Sequence, residues 1–302
     1  MPHFTIPISA QESGWRIDMA LLAFAKSRRL GLSRTTLQKL IQTGNVKIQD
    51  TIIVKPHHKV KESDVVSFDV EEQKANELGA EDIALEILYE DSDVAVINKP
   101  CGLVVHPAPG NAQHTLVNAL LHRFNTLSDI NPQRPGIVHR LDKETSGVLV
   151  IAKNNAAHLA LAEQFAEHSI KRRYIALVKG SMEFDEQVIE APIGRHPFKR
   201  KSMSVGFTAV SKYAKTHYRT LKRTKDYSVL ELEPFTGRTH QLRVHLAFIG
   251  HPILGDAKYG KHNSFSRLAL HAQYLGFMHP TTGAFVEFSC ALPDEFKDYL
   301  KK

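Results

Sequence analysis

The sequence predicts a two-domain α+β protein, with a small helix-and-strand module followed by a larger domain on a mixed, mainly antiparallel sheet. Three observations predict it. The chain has 302 residues, enough for about two domains. From residue 85 onward, strand-like and helix-like segments alternate irregularly, with strands outnumbering helices. A short acidic stretch of weak apolar content separates the two regions. Domains are therefore expected over 1–72 and 85–302, joined by an acidic linker over 73–84.

In the first domain, Trp15, Ile17, Ala20, Leu21, Phe24 and Ala25 recur at helical spacing. Ser33 suits an N-cap, and Leu37, Leu40 and Ile41 form the apolar stripe of a second helix. Gly44-Asn45 supplies the stop or turn after it. Val46 and Ile48 alternate with Lys47 and Gln49 as a half-buried strand does, and Val65, Phe68 and Val70 mark another. Arg16, Lys26, Arg28, Arg29, Arg34, Lys39 and Lys47 decorate this module with positive charge.

In the second domain, Asp93–Ile97 and Gly147–Ala152 are apolar runs of buried-strand length, and Tyr174–Val178 and Tyr227–Leu232 alternate like strands. Thr115–Phe124 and Asn155–His168 have helical periodicity, the latter with Asn154 or Asn155 as cap. Thr239–Ile249 reads as a shorter helix, capped by Thr239 and closed by Gly250.

Composition narrows the function. Hydrophobic residues make up 42% and charged residues 24%, as in an ordinary globular protein, so wholesale disorder is excluded. No apolar run approaches the roughly 20 residues of a membrane span, and MPHFTIPISA lacks the features of a secretory signal. A cytoplasmic protein is expected. The two cysteines, Cys101 and Cys290, exclude a disulfide framework, and the histidine spacings contain no HExxH pair, so no metal is expected.

Charge points to nucleic acid. The net charge is +7, and its distribution says more than its size. From Arg195 to Lys225 there are ten Lys or Arg and no acidic residue, interleaved with His196, Phe198, Phe207, Tyr213, His217 and Tyr218. Cations suit phosphates and flat rings suit unpaired bases. The alternative is a solvated hairpin face.

Three clusters in the second domain are polar where a core would be apolar: NKPCGLVVHPAPGN (98–111), HRLDKETSG (139–147) and FTGRTHQLRVHLAFIGHPILGDAKYG (235–260). By itself, Asp142 between Arg140 and Lys143 reads as an ordinary surface charge cluster. A carboxylate at the mouth of a sheet, beside basic clusters, is also what covalent or acid–base chemistry on an anion uses. Arg238 and Arg243, flanking His240 and Gln241, read equally as phosphate anchors. No GxGxxG, P-loop or GxSxG motif occurs, leaving nucleotide-cofactor and serine-hydrolase readings without support.

The first module, through RIDMAL, SRTTLQKLIQTGNVKIQD and KESDVVSF, resembles the S4 RNA-binding domain. The three clusters in this order, with PGIVHRLDKETSGVLVIAK and KRRYIALVKG, resemble the RluA-type RNA pseudouridine synthases. EAPIGRHPFKRKSM and VHPAPGN are most similar to the RluD subgroup, which modifies large-subunit ribosomal RNA.

The resemblance implies isomerisation of uridine in that RNA to pseudouridine, with no cofactor, by an enzyme expected to be a monomer. It implies Asp142 as the catalytic carboxylate, acting covalently or electrostatically, with Arg238 as its basic partner. Tyr174 is implied to stack on the target uracil, and Arg140 to fill the stack vacated when the base flips out. His139, Thr239, His240, Gln241 and Arg243 complete the expected substrate-binding set, and Arg16, Arg34, Lys39 and Lys47 the expected RNA-docking face of the first module. The competing readings are the same chemistry on tRNA and a non-catalytic S4-type assembly factor; a pure binder has no need of an intact HRLD cluster with a matching TGRTHQ.

Overall fold

The computed structural model describes residues 3–301, except Arg29, Gly31, Ser33, 70–77, Pro109, Arg200, Lys201, Phe207 and 261–264, and the side chains of Lys26 and Thr35. The expected cap at Ser33, the strand end at Val70 and the first half of the expected linker lie outside the described residues. The chain forms two compact units, Met1–Glu77 and Leu78–Lys302.

The first unit holds β1 (His3–Pro7), α1 (Ile17–Ser27), α2 (Arg34–Gln42), β2 (Val46–Ile48), β3 (Thr51–Ile52) and β4 (Val65–Asp69). Its strands form one antiparallel sheet in the order β1-β4-β2-β3. Ile17, Leu21, Leu37 and Ile41 bring the apolar stripes of both helices onto Val46, Val66 and Phe68. The periodicity did mark both helices, but β1 is too short and too interrupted by Pro7 for its Phe4/Ile6 alternation to stand out. Asp18 ties the helix pair together. Fully buried, it accepts hydrogen bonds from Arg16 (2.9 and 3.0 Å), Arg34 (2.9 and 3.1 Å) and Gln38 (2.7 Å).

The second unit is built on a nine-stranded sheet. In chain order its elements are β5 (Glu86–Glu90), β6 (Val94–Lys99), α3 (Leu116–Arg123), β7 (Ser146–Ala152), α4 (Asn155–Ala166), β8 (Lys171–Lys179), β9 (Glu186–Glu190), β10 (Ile193–Arg195) and β11 (Met203–Val205). They continue with β12 (Lys215–Arg223), β13 (Tyr227–Pro234), α5 (Gln241–Phe248), β14 (Leu270–Met278), β15 (Phe285–Ser289) and α6 (Asp294–Leu300). The sheet runs β5-β6-β7-β14-β8-β13-β12-β9, with β15 also pairing β14, while β10 and β11 form a separate hairpin. The β7–β14 pair is parallel and the others are antiparallel, so the sheet is mixed and mainly antiparallel.

Both faces of β6 and β7 are covered, which is why these strands read as continuous apolar runs. Alternation sends Val94, Val96, Val148 and Val150 toward Ala157 and Leu161 of α4. It sends Ala95, Ile97, Leu149 and Ile151 toward Leu116 and Leu120 of α3. Asn154 caps α4 by accepting the Ala157 N–H at 2.9 Å. The β7–β14 pairing depends on Gly147, which has φ +119°; a Cβ there would stand 2.1 Å from the Ala272 carbonyl oxygen.

The second half of the expected linker is not a free connection. Asn118 donates to the Gly79 carbonyl at 2.7 Å, the Glu81 N–H donates to the Asn118 carbonyl at 3.0 Å, and Glu81 accepts from the His114 backbone. Its acidic composition reflects partners within the second unit.

Candidate active site

Two loops and one strand meet around a cavity of about 500 Å³. The segment 138–145 enters β7 and carries Asp142. The turn after β13 carries Arg238 and His240 into α5. From β8, Tyr174 completes the wall.

Asp142 is held from behind. Leu141 is buried, and the Thr145 N–H donates to the Asp142 carbonyl at 3.1 Å, closing a tight turn. Lys99, at the end of β6, is fully buried and donates to the carbonyls of Pro100 (2.7 Å), Leu103 (2.9 Å) and Lys143 (3.2 Å). One ammonium thus ties the first polar cluster to the residue following Asp142, and burial lowers it to about 8.

In front, Arg243 Nη1 reaches Asp142 Oδ2 at 3.3 Å, and His240 Nε2 stands 4.0 Å from Oδ1. Arg243 is itself fixed by Asp256, which accepts from Nε and Nη2 at 2.8 Å each. Burial works against the Arg243 charge, but the Asp256 bonds outweigh it and hold the group up. Burial likewise opposes the Asp256 charge, yet the Arg243 fork and the N–H groups of Lys258 and Tyr259 pull its carboxyl below the usual range.

His240 caps α5 from the left-handed region, φ 54°. Thr239, the expected cap, is exposed one residue earlier. Gln241 shapes this turn from inside: its Oε1 accepts from Thr236 Oγ1 and the Arg238 N–H, and its Nε2 donates to the Lys215 carbonyl and Thr216 Oγ1. Tyr259 sets the orientation of the His240 ring. The Met203 N–H donates to Tyr259 Oη at 2.9 Å, and with that oxygen already accepting, the tyrosine proton is assigned to His240 Nδ1 at 2.7 Å. The ring then carries its hydrogen on Nε2, facing Asp142. Burial keeps His240 below its ordinary value and pushes Tyr174 above its own.

The family model for RNA pseudouridylate synthases matches residues 93–248, which include Asp142, Tyr174 and Arg243. The chain belongs to this family. It is 43% identical over 304 residues to the uncharacterized RNA pseudouridine synthase YlyB of Bacillus subtilis (strain 168), covering 100% of this chain and 98% of that one. It is 42% identical to the ribosomal large subunit pseudouridine synthase D of Zymomonas mobilis (strain ATCC 31821 / ZM4 / CP4), with 100% and 98% covered, and 37% identical to that of Vibrio cholerae (strain ATCC 39315), with 97% and 92% covered. The structure of Human RNA Pseudouridylate Synthase Domain Containing 1 matches with a TM-score of 0.58 at 29% identity, covering 74% of this chain and 87% of that one. The protein is an RNA pseudouridine synthase, similar to the RluD subgroup.

The structure gives the expected site residues of this synthase different surroundings. Arg238 lines the cavity but donates through Nε to the Tyr213 carbonyl at 2.9 Å; the guanidinium on Asp142 belongs to Arg243. Gln241 lines the cavity with both ends of its amide bonded within the protein. His139 accepts the Val150 N–H through Nε2 and stacks on Phe165 at 4.5 Å; burial lowers it to about 3, leaving a neutral ring that anchors the loop. Arg140 is exposed at the cavity mouth. Asp256 and Tyr259, which lie at the GDAKYG end of the third cluster and carry no role in the sequence reading, organise the Asp142 partners.

The basic stretch divides in two. Lys215–Arg223 is β12, where Tyr218 is core, Arg219 pairs with Glu231 (2.8 Å), His217 with Glu186 (2.6 Å) and Arg223 with Asp185. Neighbouring strands supply the acids missing from the run, so this half is a balanced sheet face. The earlier half holds the β10–β11 hairpin, where Phe198 is 90% exposed.

In the first unit, Arg16 and Arg34 are bound to Asp18 while Lys39 and Lys47 are exposed. Among the described residues, no helix is long and apolar enough to cross a membrane. Asp91, Asp93 and His279 are close enough to share a metal ion. Their ligand atoms are already bonded: Asp91 to Tyr89, His279 and two backbone N–H groups, Asp93 to Asn154 and Thr281. They read as a latch between two turns.

Proposed function

We propose that this synthase isomerises uridines of large-subunit ribosomal RNA, in the cytoplasm and as a monomer, with Asp142 as its catalytic carboxylate. The observation that carries the reading is the placement of Asp142. Its side chain is 20% exposed, opening into a cavity shared with Tyr174, and its two oxygens face Arg243 and His240. A fixed carboxylate of this kind can stabilise cationic character at C1′ or add covalently when the N1–C1′ bond breaks. The same base then rejoins through C5, so the overall change is an isomerisation.

Uridine in folded RNA reaches such a recess only by leaving its stack, at a cost of a few kcal/mol. Exposed Arg140 at the mouth is placed to fill the gap, and Tyr174 to meet the uracil face. The choice of ribosomal RNA rests on the relatives named ribosomal large subunit pseudouridine synthase D, matched over nearly their whole length. The first unit is read as an S4-type docking module acting through Lys39, Lys47 and the outer edges of Arg16 and Arg34.

Tritium release from RNA labelled at uridine C5 tests this, with unmodified large-subunit ribosomal RNA and total tRNA as substrates for wild type and Asp142→Asn. Release from ribosomal RNA by wild type alone is expected, the variant losing at least about 10³-fold in rate. Release from tRNA alone overturns the substrate. Turnover by Asp142→Asn overturns the role of the carboxylate.

A further inference from the structure

We propose that Arg172 is a phosphate anchor, holding a backbone phosphate next to the nucleotide that enters the Asp142 cavity; this rests on the reading of that cavity as the uridine site. Arg172 lies on β8 two residues before Tyr174, so strand alternation puts both side chains on the cavity face. Among the described residues no carboxylate lies within ion-pair distance of it, although Glu233 shares the wall of the neighbouring cavity. Nη2 donates to the Pro234 carbonyl at 3.0 Å, the Phe165 ring centre lies 5.8 Å from Cζ, and Nε is shielded from solvent with no hydrogen-bond partner.

Among the described residues, no carboxylate pairs with Arg172, whereas Arg243 across the cavity has two. A half-buried guanidinium whose Nε is shielded and unpartnered is costly by itself, and burial lowers its proton affinity. A ligand relieves that cost if it brings negative charge and planar-fork acceptors, as a phosphodiester does. The neutral uracil ring supplies acceptors without charge. Gly237 lies beside the guanidinium: a Cβ there would stand in ordinary van der Waals contact, 3.5 Å from Arg172 Nη1.

Position supports the same assignment. A second cavity of about 550 Å³ adjoins the first, and both include His168, Arg172 and Pro234 in their walls. Its remaining lining includes Lys171, Phe235 and Tyr274, a cation and two flat rings suited to a flanking nucleotide, with Glu233, 4.0 Å from His217, as the one carboxylate among the described wall residues. Arg173 is engaged there already, 3.9 Å over the Tyr274 ring and 3.8 Å from Glu231. Arg172 therefore stands where a strand passing between the two cavities turns its backbone.

The test compares binding of an unmodified large-subunit ribosomal RNA transcript by wild type, Arg172→Gln and Arg172→Lys, each also in the Asp142→Asn background, over a range of salt. Thermal melting confirms that each variant folds. Arg172→Gln is expected to bind about tenfold more weakly, with the log–log salt slope reduced by about 0.9, and Arg172→Lys to recover the slope. A hairpin carrying the target uridine, with a neutral methylphosphonate at its 5′ or its 3′ phosphate, then locates the contact: one replacement weakens wild type and has no further effect on Arg172→Gln. Unchanged affinity and slope in a folded Arg172→Gln, or methylphosphonate losses equal in both proteins, overturn the anchor. Loss of binding by Arg172→Gln without tritium release by wild type leaves the anchor standing and removes the reaction instead.

Discussion

Arg243 reaches Asp142 through a single nitrogen, Nη1 at 3.3 Å, because Asp256 holds its other two at 2.8 Å each. The cation is thereby presented edge-on and cannot swing away or collapse into a two-toothed pair with Asp142. Asp142 keeps Oδ1 on the His240 side, facing the cavity. Two acids sharing one arginine hold the Asp142 carboxylate at the cavity while most of its partner's charge is neutralised from behind.

This relationship separates the two arginines of the third cluster. Arg243→Gln leaves two carboxylates without their cation, so turnover is expected to fall at least about 100-fold. Arg238→Gln removes one bond to the Tyr213 carbonyl and is expected to lose less than about tenfold. Single-turnover rates on the same RNA decide it, and the reverse ranking restores Arg238 as the partner of Asp142.

Tyr259→Phe removes the hydroxyl that assigns the His240 tautomer and leaves the ring beneath Arg243 in place. The Nε2–H facing Asp142 is then no longer enforced. The rate of isomerisation is expected to fall about tenfold, or 1.4 kcal/mol of barrier, with RNA affinity unchanged. Nitrogen-15 NMR of His240 reads the tautomer directly; wild type with its hydrogen on Nδ1 contradicts the arrangement.

The two units should respond differently to acid. In the second, burial lowers His139 to about 3 and His106 and His271 to about 4, with nearby arginines adding to each shift. Unfolded, these rings take up protons below about 6.5, so between 6.5 and 4 the unfolded state binds more protons and stability falls with pH. In the first unit, burial opposes the Asp18 charge, but Arg16, Gln38 and Arg34 outweigh it and hold the carboxyl at about 2. Its contribution is complete above 3.8 and lost only as pH falls toward 2. Trp15 is the single tryptophan and reports the first unit, while the tyrosine signal in near-ultraviolet circular dichroism comes mainly from the second. On acidification from pH 7, the tyrosine signal should change first; simultaneous transitions refute the assignment.

Much of this protein was legible in its sequence. Continuous apolar runs marked β6 and β7 because both faces of those strands are covered. The 3.6-residue stripes marked α1, α2, α3 and α4 because each helix buries one side. Motif order pointed to the family. Local chemistry of this kind survives in any context, since periodicity and spacing belong to the chain itself.

Tertiary structure decided the pairings. Arg238 and Arg243 are equally basic and five residues apart, and only the left-handed turn at His240 with the Gln241 bonds inside it determines which one faces Asp142. The basic run at β12 read as a nucleic-acid surface because the acids that balance it, Glu186, Glu231 and Asp185, come from other parts of the chain. Arg172 gave no signal at all, since the lack of a paired carboxylate among the described residues is visible only in the folded arrangement. Sequence records which charges a chain carries; the fold determines which of them remain unanswered, because an ion pair depends on distance in space.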